Sequence, residues 1–556
     1  RAKHCLKHVI AFPYLLKIYE KRILLEERSV GKTLIEVLER YGVELIFGIP
    51  GVHTIELYRY LAYSKIRHIT ARHEQSLGYM ADGYARVTGK PGVCFVITGP
   101  GVTNILTAMA QARSDSIPML VISGVNDLTK TNKKRAPLHE LPNQAKLMKQ
   151  IALASYTVKK AKTVAEILNK AFLKMTSGRP GPVHIQIPID VMLKKIPTNR
   201  MIRPLVYKAP DIDPSEMERA VRIINKSETP CIIVGGGARN AKALLPKFAE
   251  TINAPTFSTV NARDLLGKHI LHIPASPSIN VVRNFLKRAD LVIALGTEMG
   301  QTDYDMYEDG LFPSLKNLIR VDIDKNQLKQ SPAGTINVKG DIKTFCEAIL
   351  KNIFAQKRDG VLQEIGRCKQ SIQFEIPLKY ESSHQLISTI TQTLPTSILV
   401  GDSAQPTYAG NLYCEISRTN RWFNSATGFG TLGYAPAAAI GVSLACPERP
   451  VICIVGDGGL QFSVAEFGTA RDEATPVLFL VWNNHEYKEI RTYMESLNVN
   501  PIGIAPVPPK LNQIALAYSI EYKIIKNISE LSNLLVKFEE NPTPLIVEIN
   551  ENDFLH

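Results

Sequence analysis

From residue 29 onward, short apolar runs closed by glycine or proline alternate with segments of helical period, and this alternation limits the fold more than any other feature. Apolar runs without polar alternation suit strands covered on both faces, and strands separated by helical segments form parallel sheets. A first group of runs is LIFGIPG (45–51), GVCFVITGPG (92–101) and MLVISG (119–124). A second is CIIVGGG (231–237), LVIALG (291–296) and LIRVDID (318–324). The third is SILVGD (397–402), VICIVGD (451–457), VLFLVWNN (477–484) and PLIVEIN (544–550). A stretch at 190–213 rich in Pro, Lys and Arg reads as a linker, and a polar stretch near 355–382 separates the second group from the third. The expectation is an α/β chain of three doubly wound parallel-sheet domains, at 29–195, 210–350 and 380–556. A length of 556 residues agrees with that number at about 150 residues per domain.

Composition removes several functional classes. Hydrophobic residues make up 45% and charged residues 21%, ordinary values for a globular chain with large cores. No apolar run approaches the roughly 20 residues a membrane span needs, so no membrane partner is expected. The net charge is +14, yet Lys and Arg are scattered, with no basic block and no interleaved aromatic platform. A basic enzyme handling anions fits better than a nucleic-acid binder. The eight cysteines, at 5, 94, 231, 346, 368, 414, 446 and 453, form no C-x-x-C pair. Reduced thiols in the cytoplasm fit that spacing. Residues 1–28 lack an initiator Met and are basic and apolar, an extension of uncertain status that fold reasoning leaves aside.

The strongest local signal is Gly456-Asp457-Gly458-Gly459 followed by Asn483-Asn484. Asp457 ends an apolar strand, 463–473 has helical character and 477–482 is the next strand, so the segment is a compact βαβ unit. A right-handed crossover brings Asp457 and Asn484 to one sheet edge, where open α/β sheets bind ligands. One carboxylate and one amide oxygen are too few for Mg²⁺ alone, which completes its octahedron with phosphate oxygens and water. Glycine backbone at a helix start can approach a phosphate closely. The chemistry therefore calls for a diphosphate.

GDG followed by NN at this spacing resembles the diphosphate motif of thiamine-diphosphate enzymes. The resemblance implies thiamine diphosphate and Mg²⁺ as cofactors, with Asp457, Asn484 and the backbone carbonyl of Glu486 as metal ligands. It further implies that Gly456, Gly458 and Gly459 approach the diphosphate. Arg72-His73-Glu74-Gln75, opening the helical stretch SLGYMADGYAR, is similar to the acetolactate-synthase segment that carries a catalytic glutamate, which assigns that role to Glu74. There the glutamate hydrogen-bonds the aminopyrimidine nitrogen, while the cofactor carries the carbanion chemistry. Gly78, Ala81 and Ala85 recur at helical spacing and predict close packing of that helix.

Other segments extend the resemblance. Gly428-Phe429-Gly430-Thr431-Leu432-Gly433 matches G-x-G-x-x-G without opening a conventional βαβ unit. It resembles the family's SGGLGTMG segment, in which Gly430 accepts from the pyrimidine amino group and Leu432 forces the bent cofactor shape. Asp402-Ser403-Ala404-Gln405 matches a loop that helps hold the diphosphate. Thr98-Gly99-Pro100-Gly101 with Asn104, and Gly48-Ile49-Pro50-Gly51, match pyrimidine-side segments. The domains are accordingly pyrimidine-binding, central and diphosphate-binding. The family's active site joins two subunits, which implies a homodimer or homotetramer.

Two departures bear on substrate. The Arg-rich flavin segment of acetolactate synthases is replaced by GTEMGQTDYDMY (296–307), which weakens the expectation of FAD, and F-Q-E-T-P becomes LHELP (138–142). With GIPGVHTIELYR, these look like the 5-guanidino-2-oxopentanoate decarboxylase branch. His139, Glu298, Asp303 and Asp305 are the candidate substrate residues, with Glu308 and Asp309 in the same acidic run. Carboxylates pair bidentately with guanidinium groups. A small 2-oxo acid is the expected substrate. Carboligation of two such acids, as in acetolactate synthase, and a non-catalytic ligand-binding paralogue are the alternatives. A nucleotide module resting on Gly235-Gly236-Gly237 has weaker support.

Overall fold

The computed structural model describes residues 29–127, 136–196, 203–205, 207, 209, 211–304, 310, 312–416 and 422–554. Three six-stranded parallel sheets follow one another along the chain. The first contains β1 (Leu45–Gly48), β2 (Arg67–Ile69), β3 (Gly92–Val96), β4 (Met119–Val125), β5 (Ala154–Thr157) and β6 (Pro182–Pro188), in the order β2-β1-β3-β4-β6-β5. The second contains β7 (Pro230–Val234), β8 (Thr256–Ser258), β9 (His272–Ile273), β10 (Leu291–Leu295), β11 (Leu318–Asp322) and β12 (Ile336–Lys339), in the order β12-β11-β10-β7-β8-β9. The third contains β13 (Ile398–Gly401), β14 (Trp422–Asn424), β15 (Val451–Gly456), β16 (Val477–Asn483), β17 (Glu521–Ile524) and β18 (Leu545–Asn550), in the order β14-β13-β15-β16-β18-β17.

The outer sheets thus share one topology, and the central sheet has another, the 3-2-1-4-5-6 order of dinucleotide-binding sheets. Helices cover both faces, so a central strand such as β16 is buried at every position, as its unbroken apolar run requires. Among the described residues no helix is long and apolar enough to cross a membrane.

The polar stretch between the second and third groups is helical, containing Val361–Glu375 and Leu378–Thr393. Val361, Ile365, Cys368 and Ile372 form one buried stripe against the central core, which a reading of mean polarity misses.

The first and third domains meet where the helix Glu74–Thr88 crosses the helix Tyr434–Ala445. A Cβ on Gly83 would lie 2.9 Å from the Ala438 carbonyl carbon, and one on Gly441 2.7 Å from that of Met80. Gly78 of the first helix packs instead on Ile105 and Ala108. Beside this crossing, buried Arg86 reaches Asp82 at 2.6 Å and Asp115 at 2.5 Å. Tyr434 Oη donates to Asp82, and Thr427 Oγ1 donates to Asp115 Oδ1 at 3.0 Å. The network fastens the 427–434 segment to the first domain. Burial raises the Asp82 carboxyl, and the Arg86 charge opposes that rise.

Candidate active site

In the third domain β15 and β16 pair with Gly456 opposite Trp482, so Asp457 and Asn484 leave at the same carboxyl edge. Strand order reverses between β13 and β15, and the loops after β13, β14, β15 and β16 all open there. They line one cleft of ≈ 280 Å³, open to solvent, to which Ser403, Ala404, Gln405, Gly430, Leu432, Gly456, Asp457, Gly458, Gly459, Asn484 and Glu486 contribute. Gly428 is not part of the lining. It takes φ 53° and lies against Ser114 of the first domain. The 428–433 segment links the three-residue β14 to the helix Tyr434–Ala445, and because β13 separates β14 from β15 in the sheet, it does not open a βαβ unit between neighbouring strands.

Asp457 carries the clearest cation signature. The side chain is buried and its Oδ2 has no hydrogen-bond partner. Burial raises its carboxyl, and the backbone N–H groups of Asn484 and Gly458 oppose the rise. A buried carboxylate oxygen left unpaired is costly unless a cation meets it. Asn484 Oδ1 accepts from Glu486 N at 3.3 Å, and the Glu486 carboxylate pairs with Arg491. Among the described residues there is no group of three or more His, Cys, Asp or Glu side chains able to hold a metal. Any ion here draws further ligands from phosphate and water. A Cβ on Gly458 would lie 2.5 Å from the Tyr487 ring. Asp402 accepts from Ser403 N at 2.9 Å and Ala435 N at 3.0 Å, tying two cleft loops together, and burial pushes its carboxyl up to about 6.

In the first domain Glu74 opens its helix, with His73 Nδ1 capping Gln75 N at 3.1 Å. Asn104 Nδ2 donates to Glu74 Oε2 at 2.9 Å. The Thr98–Gly101 loop faces the same carboxylate, since a Cβ on Gly101 would stand 3.3 Å from Glu74 Oε1. Buried Gln144, which the sequence reading missed, accepts from Thr98 Oγ1 at 2.6 Å and Gly99 N at 3.2 Å. Pro50 lies exposed on the loop after β1.

A second missed residue is His53, on that same loop and buried. Its Nε2 is 2.9 Å from Asn126 Oδ1, while Asn126 Nδ2 donates to Leu138 O at 3.2 Å. The Leu138 carbonyl fixes the amide orientation, so Nε2 of His53 is the donor and Nδ1 is bare, buried and unpartnered. The His139 ring lies 5.6 Å away at 67°, and the backbone of His139 packs against Gly99. Burial lowers the His53 imidazole, Asn126 opposes this and the His139 charge adds to it. His139 thus lies beside the Thr98–Gly101 loop that faces Glu74, with His53 next to it. None of Glu74, Asn104, His53 and His139 lines the cleft of the same chain.

The acidic segment is placed elsewhere. Glu298 pairs with Arg179, and half-buried Asp303 accepts from Val260 N at 3.1 Å, with desolvation pushing its carboxyl up to about 6. Neither lines the cleft, and Asp305, Glu308 and Asp309 lie outside the described residues. Packing accounts for the Gly235–Gly237 run. Gly237 N donates to Gly296 O at 3.0 Å, and a Cβ on Gly235 would meet Thr297 Cα at 2.6 Å.

Two sheets of one topology, one presenting a glutamate held by an amide and the other an Asp–Asn diphosphate cleft, define a thiamine-diphosphate enzyme. Residues 28–148, 217–349 and 402–549 match the N-terminal TPP binding domain, the central domain and the C-terminal TPP binding domain of thiamine pyrophosphate enzymes, and the chain belongs to that family. It is 37% identical over 527 residues, 93% of each chain, to the probable 2-ketoarginine decarboxylase of Pseudomonas aeruginosa. It is 29% identical to the large subunit of acetolactate synthase isozyme 1 of Escherichia coli, over 93% of this chain and 92% of that one. It is also 29% identical to the chloroplastic acetolactate synthase of Arabidopsis thaliana, over 94% of this chain and 81% of that one.

Proposed function

We propose that this chain is a thiamine-diphosphate- and Mg²⁺-dependent decarboxylase of a 2-oxo acid with a cationic tail, 5-guanidino-2-oxopentanoate, the compound also called 2-ketoarginine. The observation that carries the reading is the 37% identity over 93% of the chain to an enzyme named for that substrate. The donor set fits the cofactor: an unpaired buried Asp457 oxygen and the Asn484 amide, with Glu486 and three glycines on the same cleft wall. Bound thiamine diphosphate supplies the carbanion chemistry that releases CO₂. Glu74, oriented by Asn104, would share a proton with the pyrimidine nitrogen of the bound cofactor, and Leu432 would pack against it. Ser403, Ala404 and Gln405 would border its diphosphate. His53 and His139, a ring pair 5.6 Å apart, are the candidates to supply the proton that an aldehyde product requires.

Because Glu74 is not part of its own chain's cleft, a full site needs the Glu74 half of a second copy, and the active unit is a homodimer or a pair of them. A flavin has no role in this reading, supported by the missing Arg-rich segment at 296–307. The seven described cysteines are free thiols, which suits the cytoplasm. The presence of Glu74, Asp457 and Asn484 together argues against a non-catalytic paralogue. The test is CO₂ release from 5-guanidino-2-oxopentanoate by chelator-treated protein. Activity should return only when thiamine diphosphate and Mg²⁺ are added together. Full activity without either would remove the cofactor assignment.

A further inference from the structure

Three carboxylates stand on the wall of the cofactor cleft: Asp457, assigned above to the ion, Glu486, which pairs with Arg491, and Glu489. The third, Glu489, sits in the first turn of the helix Lys488–Ser496 and is half-buried. Its carboxylate is ion-paired with Lys379 Nζ at 3.4 Å, a longer contact than the Lys488–Glu551 pair of the same wall. Lys488, the cation on the same wall, is taken by Glu551 at 2.8 Å. We propose that Glu489 recognises the cationic tail of the substrate. This rests on the guanidino-acid reading above and relocates its charge recognition from the 298–309 segment to the cleft itself.

Three physical points support the assignment. A guanidinium presents a planar fork that meets a carboxylate with two parallel hydrogen bonds, which a lysine ammonium cannot reproduce. Lys379 can yield, because its side chain is 41% exposed and its Nζ already lies 4.7 Å from the Tyr380 ring centre. Tyr487 lines the cleft two residues before Glu489, so the tail of a bound cation also meets an aromatic face. Glu298 offers none of this, since Arg179 holds it outside the cleft.

The experiment compares 5-guanidino-2-oxopentanoate with its neutral isostere 5-ureido-2-oxopentanoate, using the full-length holoenzyme in wild-type, Glu489→Gln and Lys379→Met forms. Wild-type protein should favour the guanidino acid in kcat/KM. Glu489→Gln should cut that preference at least tenfold, mainly through KM for the guanidino acid, and should weaken competitive inhibition by the unreactive 5-guanidinopentanoate to a similar degree. Lys379→Met, by freeing the carboxylate, should lower KM for the guanidino acid. A wild-type preference that persists in Glu489→Gln overturns the role of Glu489 and leaves the decarboxylase reading standing. A wild-type enzyme that does not act on the guanidino acid overturns the reading on which the role rests.

Discussion

Asp457→Asn separates the energetics of the apoprotein from those of cofactor binding. Asparagine keeps an oxygen that can accept from the Asn484 and Gly458 N–H groups, but removes a charge whose Oδ2 is buried without a partner. An unsatisfied buried polar atom costs about 1–3 kcal/mol, more when charged. The cofactor-free variant should therefore equal wild type in stability or exceed it by about 1 kcal/mol, which corresponds to a rise in Tm of about 1 °C for cooperative unfolding of a chain this long. Cofactor changes the sign of the difference. Ligand at 100 times its Kd stabilises wild type by about 2.7 kcal/mol, and a tenfold loss of affinity leaves about 1.4 kcal/mol. Thermal unfolding with and without thiamine diphosphate, at saturating Mg²⁺, measures both terms. The reasoning fails if the variant is clearly less stable without cofactor, or if it keeps the full thermal shift with it.

Other perturbations test separate parts of the account. Glu74→Gln should retain cofactor binding by calorimetry yet slow deuterium exchange at the thiazolium C2 by at least about 100-fold; unchanged exchange would remove Glu74 from proton handling. His53→Phe deletes an unpaired nitrogen but strips Asn126 of its donor, so the net change in stability should stay within about 1 kcal/mol while kcat/KM falls at least tenfold. Undiminished turnover would place His53 outside the site. Arg86→Met leaves Asp82 and Asp115 buried without their cation and should destabilise the chain by about 3–5 kcal/mol in urea unfolding. A loss below 1 kcal/mol would mean that the network is not what fastens the 427–434 segment.

The parts of the fold legible in the sequence were those written locally. Runs such as VLFLVWNN announce strands buried on both faces, and GDGG and NN announce which strand ends open on the cleft, because glycine and short polar side chains at a strand terminus have few other uses. Strand order was not legible, since the central sheet's different topology arises from which edge each crossover takes and leaves no mark on residue type. His53 and Asn126 are 73 positions apart, and only the parallel sheet brings them together. Charge partners are hidden in the same way. Glu298 and Asp303 look available in the sequence, but Arg179 pairs with the first and the second accepts from the Val260 backbone, whereas Glu489 stands out only once its neighbours are seen.

The most direct test of the central claim is product identification by mass spectrometry after the holoenzyme is offered 5-guanidino-2-oxopentanoate and pyruvate separately. The account predicts 4-guanidinobutanal and CO₂ from the first and little or no acetolactate from the second. Acetolactate as the main product from pyruvate, with the guanidino acid recovered intact, would contradict it.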